Sequence, residues 1–171
     1  WGEKYIRNFE EYTYKNLILE IEKHKDFYKN VLINLIICTK KQSFQKFKVT
    51  FDDRGINLIL LNIDFLISKY ENKEFDKYLL LKAVQQGIFY KYKNNGIFIL
   101  LYPDFIWKLG SLKFVIEKIH QKKVVLAYCP QSISENLLNK DFNQNFLENN
   151  FVDYLVNNMH PIVTNNQYNE K

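Results

Sequence analysis

The stretch Val31-Leu32-Ile33-Asn34-Leu35-Ile36-Ile37-Cys38 decides the fold. It is almost continuously apolar and rich in β-branched residues, long enough for a strand and short for a helix. Such runs mark strands covered on both faces, as in parallel sheets. Working outward, a second run of the same kind, Ile56 to Ile63, follows the turn Asp52-Asp53-Arg54-Gly55, and Lys41 to Lys48 between them reads as a short helix. A third strand is expected from Ile97 to Tyr102, stopped by Pro103, and a fourth from Val124 to Tyr128, cut off by Pro130. Strands that alternate with helices predict the α/β class, with a mostly parallel, Rossmann-like sheet under helices on both faces. Ile33, Ile36, Leu58, Leu60, Ile97, Ile99, Leu101, Val124 and Leu126 are then expected to lie buried in one sheet.

The intervening segments carry helical spacing. Tyr5, Ile6, Phe9 and Tyr12, then Leu17, Ile18 and Ile21, form two amphipathic stretches. Asn72 is placed to cap a helix with Glu74 and Asp76 in its first turn, which Asn94-Asn95-Gly96 ends. Ser111 is placed to cap a helix striped by Leu112, Val115, Ile116 and Ile119, and helical patterns return at 132–139 and 145–158.

The 171 residues contain 47% apolar and 16% aromatic residues with only 5 Gly and 3 Pro, which excludes disordered, collagen-like and low-complexity chains. One α/β domain over 1–160 with a frayed tail over 161–171 is expected, and no repeat or linker divides it. The chain opens on Trp1 rather than methionine, so the domain is expected to be partial. No apolar run exceeds that from Ile97 to Tyr102, well below the about 20 residues of a membrane helix. Nothing reads as a signal peptide. Cys38 and Cys129 lack zinc-ligand spacing and are too few for a disulfide framework, so buried thiols in a cytoplasmic protein are expected.

The net charge of +5 divides into +8 over 1–130 and −3 over 131–171, without a dense cluster. Nearly all the basic residues are lysines; Arg7 and Arg54 are the only arginines. Lys, Asn, Ile, Phe and Tyr are residues of AT-rich codons. The excess is therefore read as compositional bias, and nucleic acid is not expected as a partner, because phosphate readers group their charges and favour Arg. A basic RNA-binding protein stands as the second alternative to the reading below.

Ligands of open parallel sheets bind beyond the carboxyl ends of the strands. The residues there are Thr39, Asp64, Tyr102 with Asp104, and Cys129. The chain has no G-x-G-x-x-G, no P-loop and no G-x-S-x-G elbow, which removes those nucleotide-binding and hydrolase readings. His24, His120 and His160 have no partner at metal or nucleophile spacing. Each candidate also has an ordinary reading: Asp104 as a turn or cap residue after Pro103, Asp64 as a helix start, Thr39 as a cap, and Tyr102, Trp107 and Tyr128 as core aromatics.

One segment stands apart, Asn95-Gly96-Ile97-Phe98-Ile99-Leu100-Leu101-Tyr102-Pro103-Asp104-Phe105-Ile106-Trp107-Lys108-Leu109-Gly110-Ser111-Leu112. A strand there delivers a carboxylate at its tip and a capped helix begins shortly after. This resembles the metal-binding edge of nucleotide-sugar glycosyltransferases of the GT-A fold, in which a strand ends in Asp-x-Asp and a Gly-Ser-Leu-like helix start often follows. Trp1-Gly2, Asn16-Leu17, Thr39, Pro103-Asp104 and His160-Pro161 stand in the order seen in bacterial proteins of that superfamily, so the likeness spans nearly the whole chain.

The resemblance implies transfer of a sugar from a nucleotide-diphosphate donor to an acceptor that the sequence does not identify. Thr39, Asp64, Tyr102 and Asp104 would bind the nucleotide sugar, and Asp104, with His160 as a distant ligand, would hold Mn²⁺ or Mg²⁺. Such a cation offsets the negative charge that develops on the departing diphosphate. Asp104 is expected at the carboxyl edge in a cleft near Thr39 and Asp64. The sequence departs from the family pattern at Tyr102, which stands where the first carboxylate of Asp-x-Asp would be. A phenol is a poor ligand for a hard cation, and a degenerate, non-catalytic GT-A-like binding module is therefore the first alternative.

Overall fold

A computed structural model describes residues 3–50, 55–70, 76–92, 96–103, 105–119 and 143–158. It begins with a helical arm: α1 (Glu3–Asn8), a π-helical segment (Phe9–Tyr14) and α2 (Lys15–Lys23), with Asn8, Tyr14 and Lys15 all in right-handed helical conformation. The two amphipathic stretches read from the sequence are thus one arm. Their apolar positions fall out of α-helical phase between Phe9 and Tyr14, and the wider π turn absorbs the difference. Phe9 and Tyr14, five residues apart, stack with centroids 6.0 Å apart. His24 leaves helical geometry (φ −114°, ψ 35°), and the short α3 (Lys25–Tyr28) follows.

The two apolar runs that decide the fold class form β1 (Ile33–Thr39) and β2 (Ile56–Asn62). They pair in parallel, from Ile33 opposite Ile56 to Thr39 opposite Asn62. A parallel pair needs a crossover connection, supplied here by a 3₁₀ turn (Lys41–Ser43) and α4 (Phe44–Thr50). After β2 come α5 (Asp64–Tyr70), α6 (Asp76–Tyr92), α7 (Ser111–Ile119), a second π segment (Phe146–Asn150) and α8 (Phe151–Asn157).

The pleat sorts the sheet's side chains into two faces. Ile33, Leu35, Ile37, Ile56, Leu58 and Leu60 pack with Ile6, Phe9, Tyr14, Leu17 and Ile18 of the arm, Phe47 of α4, and Trp107 and Leu112. On the other face Asn34 and Asn57 join through their side chains at 2.9 Å, and Cys38 packs on Ile63 and Ile67 with Val84 of α6 alongside. Helices therefore meet both faces. A further cluster of Leu109, Leu147 and Phe151 ties the C-terminal helical segment to the loop before α7, with Tyr12 and Leu19 of the arm against it.

The protein is α/β, but mostly helical, and its described sheet has two parallel strands. The expected third strand is corrected: residues 97–102 have no strand pairing among the described residues. Gly96, at φ +111°, turns the chain into this segment. Phe98 packs edge-on to Phe89 of α6, and the Tyr102 carbonyl accepts a hydrogen bond from Thr13 instead of a neighbouring strand. An apolar run encodes burial without naming its pairing partner. Ile33, Ile36, Leu58, Leu60, Ile99 and Leu101 are half-buried and Ile97 is exposed, so the expectation of full burial does not hold for them. The expected fourth strand with Val124 and Leu126, the helix at 132–139, Asn72, Asn94-Asn95 and the tail at 161–171 lie outside the described residues.

Candidate functional site

The carboxyl ends of β1 and β2 lie side by side because the strands are parallel and in register to their last residues, Thr39 and Asn62. Past them the chain is locked by short-range bonds. Ile63 donates its backbone N–H to the Thr39 carbonyl at 3.2 Å, and the Asn62 side-chain oxygen accepts the Asp64 N–H at 2.9 Å. Asp64 Oδ2 accepts the backbone N–H of Lys41 at 3.2 Å, bridging the turn after β1 to the start of α5. Two residues expected at a binding edge, Thr39 and Asp64, are thus brought to one place. Thr39 is buried and Asp64 exposed. Asp64 is also the helix start that its ordinary reading describes.

Tyr102 is anchored through its backbone, and its ring lies edge-on to Phe105 with centroids 5.0 Å apart. Among the described residues no hydrogen bond, ion pair or ring contact links Tyr102 to Thr39 or Asp64. Asp104 and His160, expected to hold the metal, lie outside the described residues, as do Cys129 and Tyr128. The described residues contain no group of three or more His, Cys, Asp or Glu side chains placed to hold a metal ion. Nor do they contain a helix long and apolar enough to cross a membrane. Cys38 is half-buried rather than fully buried as expected, and desolvation pushes its thiol up to about 11, which leaves little thiolate near neutral pH. Trp107 follows its ordinary reading, half-buried against the core, with its backbone N–H on Asn16.

A set of residues that the sequence reading passed over organises the Tyr102–Lys113 region. Thr13, Asn16 and Glu20 are spaced three and four apart along the arm, and all three are buried. Thr13 Oγ1 lies 3.0 Å from both the Tyr102 and the Phe105 carbonyls. Asn16 Oδ1 accepts the Trp107 N–H at 2.7 Å. Glu20 Oε2 accepts the Gly110 N–H at 2.6 Å, and its Oε1 accepts the Lys113 N–H at 3.1 Å. Glu20 thereby fills from another helix the capping role expected of Ser111, which sits inside α7 after Gly110. Phe114 N–H bonds the Gly110 carbonyl at 2.9 Å, making Gly110 the residue at the cap.

Tyr28 donates to Glu20 Oε1 at 3.5 Å. Burial first, and then the adjacent Glu20 charge, raise its hydroxyl well above the usual phenol range. The signal that could have revealed this row was present: polar residues at helical spacing beside the apolar stripe Phe9, Leu17 and Ile18. Their backbone partners lie some 90 residues away and leave no periodic trace.

Comparison with protein-family models, with curated proteins and with solved structures found no match for the chain.

Proposed function

We propose that this α/β domain is glycosyltransferase-like, with a Rossmann-like, GT-A-like architecture, and transfers a sugar from a nucleotide-diphosphate donor to an acceptor. The observation that carries the reading is the joint carboxyl edge of β1 and β2, where Thr39 and the exposed, backbone-anchored Asp64 stand together. Edges of this kind are where parallel sheets bind nucleotides. Asp64 Oδ2 is held by Lys41, which fixes the carboxylate while its other oxygen remains to accept a ribose or base hydrogen bond. Thr39, being buried, supports the edge through its carbonyl bond to Ile63. Tyr102 and Asp104 complete the binding residues. Asp104, with His160, would hold the divalent cation, which supplies charge neutralisation at the diphosphate.

The second reading, a binding module that performs no transfer, is favoured by Tyr102. Its ring leans on Phe105 at the position where the first metal-binding carboxylate would stand.

One screen tests both. The melting temperature is measured with UDP-, GDP- and dTDP-hexoses, with and without Mn²⁺. The transferase reading expects a metal-dependent rise that Asp104→Asn removes, together with slow release of free sugar from the bound donor. A rise without such release selects the binding module. No rise with any of these donors overturns both.

A further inference from the structure

We infer that the C-terminal half of α6 and the segment after Gly96 form a surface that docks on an anionic lipid bilayer, a partner independent of the nucleotide-sugar reading above. α6 packs Val84 against Ile63 and Ile67 on the second face of the sheet. Lys82, Gln86, Phe89 and Tyr90, at helical spacing, share one stripe on the opposite side of the helix, and all four are exposed. An outward helix face ordinarily carries polar and charged residues, yet Phe89 is 54% and Tyr90 76% exposed. Phe98 meets the Phe89 ring edge-on at 6.2 Å, which sets the segment after Gly96 beside this stripe. Ile97 and Leu100, the neighbours of Phe98 in that segment, are exposed as well. Single exposed apolar residues are ordinary, whereas four gathered around one ring pair mark a surface that meets another molecule or a membrane.

The charge around them selects the partner. From Lys77 to Pro103 the sequence holds Lys77, Lys82, Lys91 and Lys93 and no Asp or Glu. Of these, Lys82 stands in the exposed stripe, and Lys91 is exposed next to Tyr90. Apolar side chains in an acid-free, lysine-bearing stretch suit the interface of an anionic bilayer. There, rings and aliphatic groups sink to the acyl boundary while the lysines reach lipid phosphates. Single-stranded nucleic acid would use the rings and the lysines but not Ile97 or Leu100, which offer no face for a base to stack on.

The test pellets the full chain with vesicles of phosphatidylcholine alone and of phosphatidylcholine with about 30% phosphatidylglycerol. The wild type is expected to bind the anionic vesicles about tenfold more tightly than the neutral ones. Phe89→Ala combined with Tyr90→Ala should weaken that binding about tenfold, and Lys82→Gln about fivefold. Val152→Ala combined with Val156→Ala, two exposed apolar residues of α8, should bind as the wild type does. Should the double aromatic variant fail to fold, Leu100→Ser, exposed and outside α6, takes its place with a loss of about threefold expected.

Equal binding to the two kinds of vesicle overturns the inference, as does binding that the aromatic substitutions leave unchanged. An equal loss in the Val152 and Val156 variant also overturns it, by removing the site from α6. A wild type that stays in the supernatant with both vesicles, and captures a labelled oligouridylate through Phe89 and Tyr90 instead, overturns it in favour of nucleic acid. None of these outcomes touches the nucleotide-sugar reading, which the donor screen above tests by itself.

Discussion

Gly110 donates its backbone N–H to Glu20 Oε2 at 2.6 Å, and the carboxylate that receives it is 0% exposed. The same side chain takes the Lys113 N–H with its other oxygen, so one buried anion satisfies two free donors at the start of α7. Favourable placement of negative charge at a helix N-terminus adds to the bonds themselves. Glu20→Gln keeps the shape but turns an NH₂ group toward one of those N–H donors. A loss of about 2–3 kcal/mol is expected in urea unfolding, the scale of buried hydrogen bonds to a charged group. A loss below about 0.5 kcal/mol would show that α7 does not depend on this cap.

Gly110 itself is constrained from two sides. Its φ of +93° is costly for any L side chain, and an added Cβ would lie 3.4 Å from His24 Nε2. Gly110→Ala should therefore destabilise by about 1–2 kcal/mol. Gly87 makes the internal comparison: it lies within α6, and a Cβ there meets nothing within 4 Å. Gly87→Ala should stabilise by about 0.5–1 kcal/mol through helix propensity and a less flexible unfolded chain. Thermal melts of the two variants shifting in the same direction would contradict this assignment.

Leu147, 1% exposed, anchors the second π segment against Leu109 and Phe151. Leu147→Ala should cost about 2–5 kcal/mol, whereas Val156→Ala, on the exposed side of α8, should stay within about 0.5 kcal/mol. Equal costs at the two sites would mean that the C-terminal segment does not dock on the arm.

The pH dependence of stability has a sign set by Cys38 and Tyr28. Burial raises the Cys38 thiol from its ordinary 9.0 to about 11, and burial together with Glu20 raises the Tyr28 hydroxyl. Between pH 9 and 11 the unfolded thiol has released a proton that the folded one retains. The unfolded state then binds fewer protons, and stability falls as pH rises through that window. Cys38→Ala should flatten the fall, as read from urea midpoints at pH 8 and 10.5. Native Cys38 should also react slowly with a thiol reagent at pH 8, and quickly once unfolded.

The legible part of the fold was what near neighbours encode. Ile33 to Cys38 and Ile56 to Leu61 are apolar runs broken only by Asn34 and Asn57, with a helix between them, and both form parallel strands whose two faces meet helices. Thr39 and Asp64 were legible as edge residues because strand ends fix the edge. The register break at Phe9 to Tyr14 was visible only as a gap between two stripes, and the π turn that closes it is a backbone solution with no residue signature. The latch of Thr13, Asn16 and Glu20 was hidden for another reason. Its partners are backbone groups of residues 102–113, and a backbone N–H or carbonyl looks the same in every residue type.

Ile99 and Ile56 give the direct test of how far the sheet extends. Both stand in runs that read as buried strands, yet Ile56 is buried in β2 against Phe47 and the arm, and Ile99 is half-buried in a segment without strand pairing among the described residues. Ile56→Ala should cost about 2–5 kcal/mol, the range for opening a cavity in a closed core. Ile99→Ala removes side-chain surface that solvent already reaches in part and leaves a smaller void, so about 1 kcal/mol is expected. Amide exchange adds a second measure, because the N–H groups of 97–102 should exchange far faster than those of β1 and β2 that lie in the ladder. A cost for Ile99→Ala as large as that for Ile56→Ala, with slow exchange across 97–102, would make this segment a third strand and restore the wider sheet that the apolar run predicts.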